Sequence, residues 1–291
     1  MIDGLDDSIR LPKEKQGLLG HIVNDLRRVE NVAAIVLGGS YAMRQATAAS
    51  DLDIGIYYSD TKAFSIDDIR SVAREYDVGG TPTVTGFYEW GPWVNGGAWI
   101  KTASGKVDLL FRSIERVSST IAKAREGIWE NDYEQQPPYG FSSIAYLAET
   151  QCCLPLYDPG KIVAKLKSEV SVYPEKLKRS VIQYSLWSAE FTLSHAVHFS
   201  HKQDVYNLAG CLARATKNIV TALFAINEIY PIGDKRAIDI LENAPKRPDQ
   251  LRERVEAILR AGNDAIPGLQ MLFAETRELA GGVYQPFYQL E

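Results

Sequence analysis

The chain of 291 residues predicts an α/β domain (α+β in layout) with a mixed sheet, followed by an all-helical bundle. Three observations lead there. Short apolar runs closed by glycine or turn residues occur only in the first 113 residues, and apolar residues after Phe111 recur at helical spacing. Between the two regions lies a polar, proline-rich stretch, Asn131 to Gly140 (NDYEQQPPYG), which reads as a linker. The expected domains are residues 1–130 and 131–291, in keeping with about 150 residues per domain.

Residues 12–29 open with Pro12 and set Leu18, Leu19, Ile22, Val23, Leu26 and Val29 on one helical face. Val32 to Leu37 is an apolar run ended by Gly38 and Gly39, the mark of a buried strand. A short helix is expected from Ser40 to Ala46, then a second strand from Asp51 to Tyr58, rich in strand formers. Ser65 caps a helix to Tyr76, with Asp67 and Asp68 in the turn where the macrodipole favours acids. Residues 83–90, 98–103 and 106–112 supply three further strands, the last two a hairpin through Ser104-Gly105. No strand is expected beyond Phe111. Helices are expected at 114–126, 141–153, 160–170, 174–201, 204–229, 234–243, 248–260 and 263–280, the two longest folding back on each other.

Composition narrows the function. With 45% hydrophobic and 24% charged residues the chain reads as an ordinary soluble globular protein. Its net charge of −5 argues against duplex nucleic acid as a partner, since such binding rests on phosphate contacts from a basic surface. Cys152, Cys153 and Cys211 make no disulfide framework, which fits a reducing cytoplasm. The opening MIDGLDDSIR lacks the basic-then-apolar layout of a signal peptide, and no apolar run is long enough for a membrane. A cytoplasmic protein without a membrane partner is expected.

The chemistry concentrates between Leu37 and Gly55. A buried strand runs into Gly38, Gly39 and Ser40 at a helix start, where backbone amides and a hydroxyl can meet an anion. Asp51 and Asp53 follow, and residues at i and i+2 of a strand share a face. Two carboxylates side by side call for a cation, and Mg²⁺ combines few carboxylates with phosphate oxygens. Asp108, between Val107 and Leu109, is the third acid on a strand. Three acids beside a phosphate cradle suit a two-metal displacement at phosphorus.

This arrangement resembles the nucleotidyltransferase superfamily, the fold of polymerase β and of the antibiotic nucleotidyltransferases. The superfamily pattern is Gly, then Gly or Ser, about ten residues, Asp-apolar-Asp, and a later carboxylate on a strand. Gly39, Ser40, Asp51, Asp53 and Asp108 follow it in order. Small-molecule and toxin–antitoxin branches often read Gly-Ser-x-Ala-Arg; here Met43 intervenes before Arg44, and Ser50 precedes Asp51. The resemblance is close over residues 15–113, and the helical remainder is similar only in type to the second domains of aminoglycoside and lincosamide nucleotidyltransferases. It implies transfer of a nucleoside monophosphate from an NTP, with ATP as the expected donor, to a small hydroxylated, antibiotic-like acceptor, releasing pyrophosphate. It also implies two Mg²⁺ ions held by Asp51, Asp53 and Asp108, phosphate binding by Gly38, Gly39, Ser40, Arg44 and Ser50, and a homodimer. A protein-modifying or toxin–antitoxin enzyme and a silent NTP-binding module stay open as alternatives.

Other residues carry two readings each. Asp108, Glu89, Glu149 and Glu190 are the candidates for general base. The aromatic segment from Gly86 to Trp99 is a wall for acceptor or base, or a packing plug against the helical domain. His195, His198 and His201 drift around their helix and read as a solvated helix end rather than a metal site. Gly210, Arg214, Lys217 and Thr221 lie opposite Leu208, Leu212, Ile219, Leu223 and Ile226, a solvated face or a source of cations for phosphate. Cys152 and Cys153 read as core thiols.

Overall fold

The computed structural model describes residues 11–286. The N-terminal MIDGLDDSIR, read above for its lack of a leader pattern, lies outside the described residues. The chain divides into two compact units: Met1–Ala122 with Asn131–Val172, and Lys123–Glu130 with Tyr173–Glu291. The division therefore falls elsewhere than the expected 130/131, because residues 131–172 build onto the first unit.

In the first unit the strands are β1 (Ala34–Leu37), β2 (Leu52–Tyr58), β3 (Thr83–Val84), β4 (Gly97–Thr102), β5 (Gly105–Ser113), β6 (Asn131–Asp132), β7 (Phe141–Ser142) and β8 (Leu154–Tyr157). Its helices are α1 (Lys13–Leu26), α2 (Gly39–Ala42), α3 (Ile66–Tyr76), α4 (Ile114–Arg125), whose last turn passes the unit boundary, α5 (Ile144–Cys152) and α6 (Ile162–Glu169). The six-stranded sheet runs β3-β4-β5-β2-β1-β8 and is mixed: β2 pairs with β5 in parallel, the other neighbours antiparallel.

Alternation decides what each face of this sheet holds. Ile35 and Leu37, Leu52, Ile54 and Ile56, Val107, Leu109 and Phe111, and Ala98 and Ile100 form one core with Leu19, Ile22 and Leu26 of α1 and Ile69 and Ala73 of α3. Each such aliphatic side chain contributes about 1.5–3 kcal/mol on burial. Ser65 starts α3 as expected, its hydroxyl accepting the Asp68 N–H at 3.3 Å. The opposite face keeps the intervening residues, among them Asp53 and Asp108.

Several elements differ from expectation. The strand expected at 83–90 pairs only at Thr83–Val84. The chain then turns, with Tyr88 and Asn95 at positive φ and the Trp90 N–H bonded to Asn95 O at 2.8 Å. The short helix stops at Ala42 rather than Ala46, and Arg44 takes a left-handed φ of 57° that ends it. Strands do occur after Phe111: β8 pairs with β1, and the expected linker contains β6, which pairs with β7. There Gln135 also accepts the Trp93 N–H at 3.3 Å, which ties the stretch to the connection between β3 and β4.

The second unit contains α7 (Glu175–His201), α8 (Val205–Ile226), α9 (Ala237–Glu242), α10 (Leu251–Arg260), a 3-10 turn (Gly262–Ala265) and α11 (Ile266–Leu279). Asp204 caps α8 by accepting the Asn207 N–H at 3.2 Å, directly after α7 ends. Leu208, Leu212, Ile219, Leu223 and Ile226 are buried as their spacing predicts. The α7–α8 packing also encloses one polar pair, Asn218 Nδ2 donating to Ser188 Oγ at 3.0 Å. Among the described residues, no helix is long and apolar enough to cross a membrane.

Candidate active site

The polar face of the first unit's sheet carries a row of four residues on four adjacent strand positions. Just past β1, the Gly38 N–H donates to the Asp53 carbonyl at 2.8 Å. Asp53 on β2 is the register partner of Asp108 on β5, and Asp108 is the register partner of Trp99 on β4. Register partners present their side chains on one face, so both acids and the indole project together. Adjacent strands lie about 4.8 Å apart, which makes the row about 14 Å long.

Gly39 fixes the first half of the row. Its φ is +58°, and a Cβ there would stand 1.7 Å from Asp53 Oδ2 and 2.5 Å from Cγ. Glycine is required on both counts, because the Asp53 carboxylate lies directly against the Gly39 backbone. Gly39 and Ser40 open the single turn of α2, whose first amides have no acceptor within the helix.

Asp51 stands half-buried just before β2, two residues from Asp53. Its loop is held from below by Lys15, only 6% exposed, which donates to Ala48 O at 3.0 Å and to Ser50 O. The same ammonium lies 5.7 Å from the centre of the Tyr41 ring. Nothing in the sequence marks Lys15, since a lysine in the first turn of an amphipathic helix reads as solvated. Ser50 closes the loop by accepting the Thr47 N–H at 2.9 Å, so its hydroxyl serves the turn.

Among the described residues, no group of three or more His, Cys, Asp or Glu side chains is placed to hold a metal ion. Asp53 and Asp108 stand as register partners, and Asp51 lies on its loop two residues before Asp53. The pair still suits a hard divalent cation: carboxylate oxygens on one face, beside a glycine whose missing Cβ leaves Asp53 its place.

The remaining candidates separate. Both Glu149 oxygens accept from Arg112, Nε to Oε2 at 2.9 Å and Nη2 to Oε1 at 3.1 Å, so Glu149 is a counterion and not a base. Burial pulls the Arg112 pKa down, but Glu149 and the neighbouring tyrosines more than offset it, and the guanidinium stays charged. Glu190, in the second unit, accepts the Tyr284 hydroxyl. Glu89 is exposed, beside Gly86 in the turn after β3. Burial pushes the Cys152 and Cys153 thiols up to about 12 and about 11, as inert core thiols require.

The aromatic segment splits in two. Trp93 is buried, stacked on Phe141 at 5.8 Å with the Arg116 guanidinium 4.5 Å from its ring centre. Trp99 is 54% exposed and stacked on Trp90 at 4.8 Å. In the second unit His195, His198 and His201 are exposed, and the His195 ring lies between those of Phe191 and Phe199. Arg214 is exposed and Lys217 half-buried, its pKa lowered by burial.

Comparison with known proteins follows this division of labour only in part. No curated protein matches the chain. A solved structure, a nucleotidyltransferase-like protein from Exiguobacterium sibiricum 255-15, aligns over 92% of this chain and 74% of its own with 8% identity. Its TM-score is 0.45, too low to carry an argument. Residues 144–235 match the family model of a domain of unknown function, DUF4037. Residues 19–126 match that of the nucleotidyltransferase domain, a span that includes α1 from Leu19 onward, the glycine turn and all three acids. Over residues 19–126, most of which lie in the first unit, the chain is therefore similar to the nucleotidyltransferase domain.

Proposed function

We propose that this protein catalyses Mg²⁺-dependent transfer of a nucleoside monophosphate from an NTP, with ATP the expected donor, to a hydroxyl of a small acceptor. The observation that carries the reading is the in-register Asp53–Asp108 pair, with the Asp53 carboxylate set against Gly39. In this reading the acceptor oxygen forms a bond to the α-phosphorus while the bond to pyrophosphate breaks in line. The acceptor proton passes to the Asp108 carboxylate. Gly38, Gly39 and Ser40 receive the β- and γ-phosphates through backbone amides and a hydroxyl, with Arg44 beside them. Asp51, Asp53 and Asp108 would hold the Mg²⁺ ions, which would supply neutralisation of the phosphates and activation of the attacking oxygen.

The test is pyrophosphate release with Mg²⁺, each NTP and a panel of hydroxylated acceptors. Asp53→Asn is expected to lower turnover about 10³-fold, the scale of several kcal/mol of charge stabilisation, with an unchanged circular dichroism spectrum. Turnover within a few-fold of wild type would remove the mechanism. A second reading is a silent NTP-binding module, which keeps the Gly38–Ser40 turn for phosphate without the transfer step. Mg·NTP binding without pyrophosphate release from any acceptor would favour it.

A further inference from the structure

We propose that Trp99, backed by Trp90 and rimmed by Lys101 and Lys106, is the acceptor platform, and that it takes a hydroxylated molecule with a flat ring next to an anionic group. This rests on the nucleotidyl-transfer reading above and names its acceptor class. In-line displacement puts the attacking oxygen on the side of phosphorus away from the departing pyrophosphate. With the β- and γ-phosphates over Gly38 to Ser40, at the β1 end of the row, the acceptor comes from the β4 end. There the row ends on Trp99, the register partner of Asp108.

An indole face left 54% exposed, with a second indole stacked 4.8 Å behind it, is a flat apolar surface beside the acids. Such a surface accepts the face of an aromatic or sugar ring. The charge around it comes from alternation. Lys101 lies two residues after Trp99, Lys106 two residues before Asp108, and the two lysines are register partners, so they share the Trp99 face. Both are exposed. A ring lying on Trp99 thus has two ammonium groups beyond it, which attract a carboxylate or phosphate and repel a polycationic aminoglycoside.

A matched pair of probes tests this: 4-nitrophenyl β-D-glucuronide and 4-nitrophenyl β-D-glucoside, which share the aryl group and the ring hydroxyls and differ only at C6, a carboxylate in the first and a hydroxymethyl in the second. Equilibrium dialysis with the full chain is expected to show the glucuronide bound about three- to tenfold more tightly, the scale of partly screened ion pairs. Lys101→Gln with Lys106→Gln is expected to bring that ratio to about one while leaving the glucoside unchanged. Trp99→Ala is expected to weaken both probes about tenfold. Equal binding of the two probes, a ratio that survives the lysine changes, or a Trp99→Ala variant that binds like wild type would each overturn the proposal. Mg·NTP binding, measured separately, reports on the transfer reading: its absence from the wild type counts against that reading, whatever the probe ratios show.

Discussion

At the scale of single residues, the site turns on how closely the Asp53 carboxylate approaches the Gly39 backbone. Gly39→Ala would add a Cβ at a φ of +58° and 1.7 Å from Asp53 Oδ2. The strain is worth about 1–3 kcal/mol, and the displaced carboxylate is expected to lower pyrophosphate release about 10²-fold. Urea melts and initial rates on one preparation check both; a variant with normal stability and rate would show that Asp53 has room to move. Gly39, Asp53 and Asp108 were legible in the sequence because glycine, serine and strand-borne acids each have a narrow set of structural uses. Lys15 was not, because its role depends on carbonyls of Ala48 and Ser50 that only the folded loop brings to it. Glu149 looked like a base for the same reason: its partner Arg112 lies on another element.

At the scale of elements, Arg112 joins β5 to α5 through a bidentate pair, with the guanidinium side chain only 7% exposed. Arg112→Met leaves Glu149 without its cation and is expected to destabilise the first unit by about 3–5 kcal/mol. A denaturant melt with no shift in midpoint would contradict that role. Arg254 of α10 makes a more exposed bidentate pair with Glu275 of α11, at 2.6 and 2.9 Å. The hydrogen bonds from Arg254 hold the Glu275 carboxyl below its ordinary value of 4.5. An acid with a depressed folded pKa contributes stability above its unfolded pKa and loses that contribution as pH falls through the depressed value. Glu275→Gln is therefore expected to melt slightly earlier than wild type above about pH 5, by less than about 1 kcal/mol for so exposed a pair, with the gap closing in acid. A gap independent of pH would count against the pair. Long periodic helices such as α7 and α8 were readable from spacing alone. The four residues of β8, with Pro155 among them, were not, since only pairing with β1 makes them a strand.

At the scale of the whole molecule, the polar stretch at 131–140 has the composition of a linker yet belongs to the first unit. A fragment ending at residue 130 lacks α5 and β8, and is expected to lose cooperative thermal unfolding. A fragment ending at residue 172 is expected to keep it; calorimetry on the two separates this division from the one composition suggests. The DUF4037 match, residues 144–235, likewise begins inside the first unit and ends in the second. Composition and local periodicity report where chain is polar or helical. They carry no information about which distant strand completes a sheet.

The position of β8 also sets a timetable. β1, four buried apolar residues ending at Leu37, emerges from the ribosome 154 − 37 = 117 residues before its outer neighbour starts at Leu154. At about 5–20 residues per second, a nascent chain carries that bare edge for roughly 6–23 s. Through that interval the edge is open to the same strand on a neighbouring nascent chain, and crowded translation favours wrong pairings. When β8 arrives it covers β1 and brings Pro155, which has no amide to donate, to the margin of the sheet.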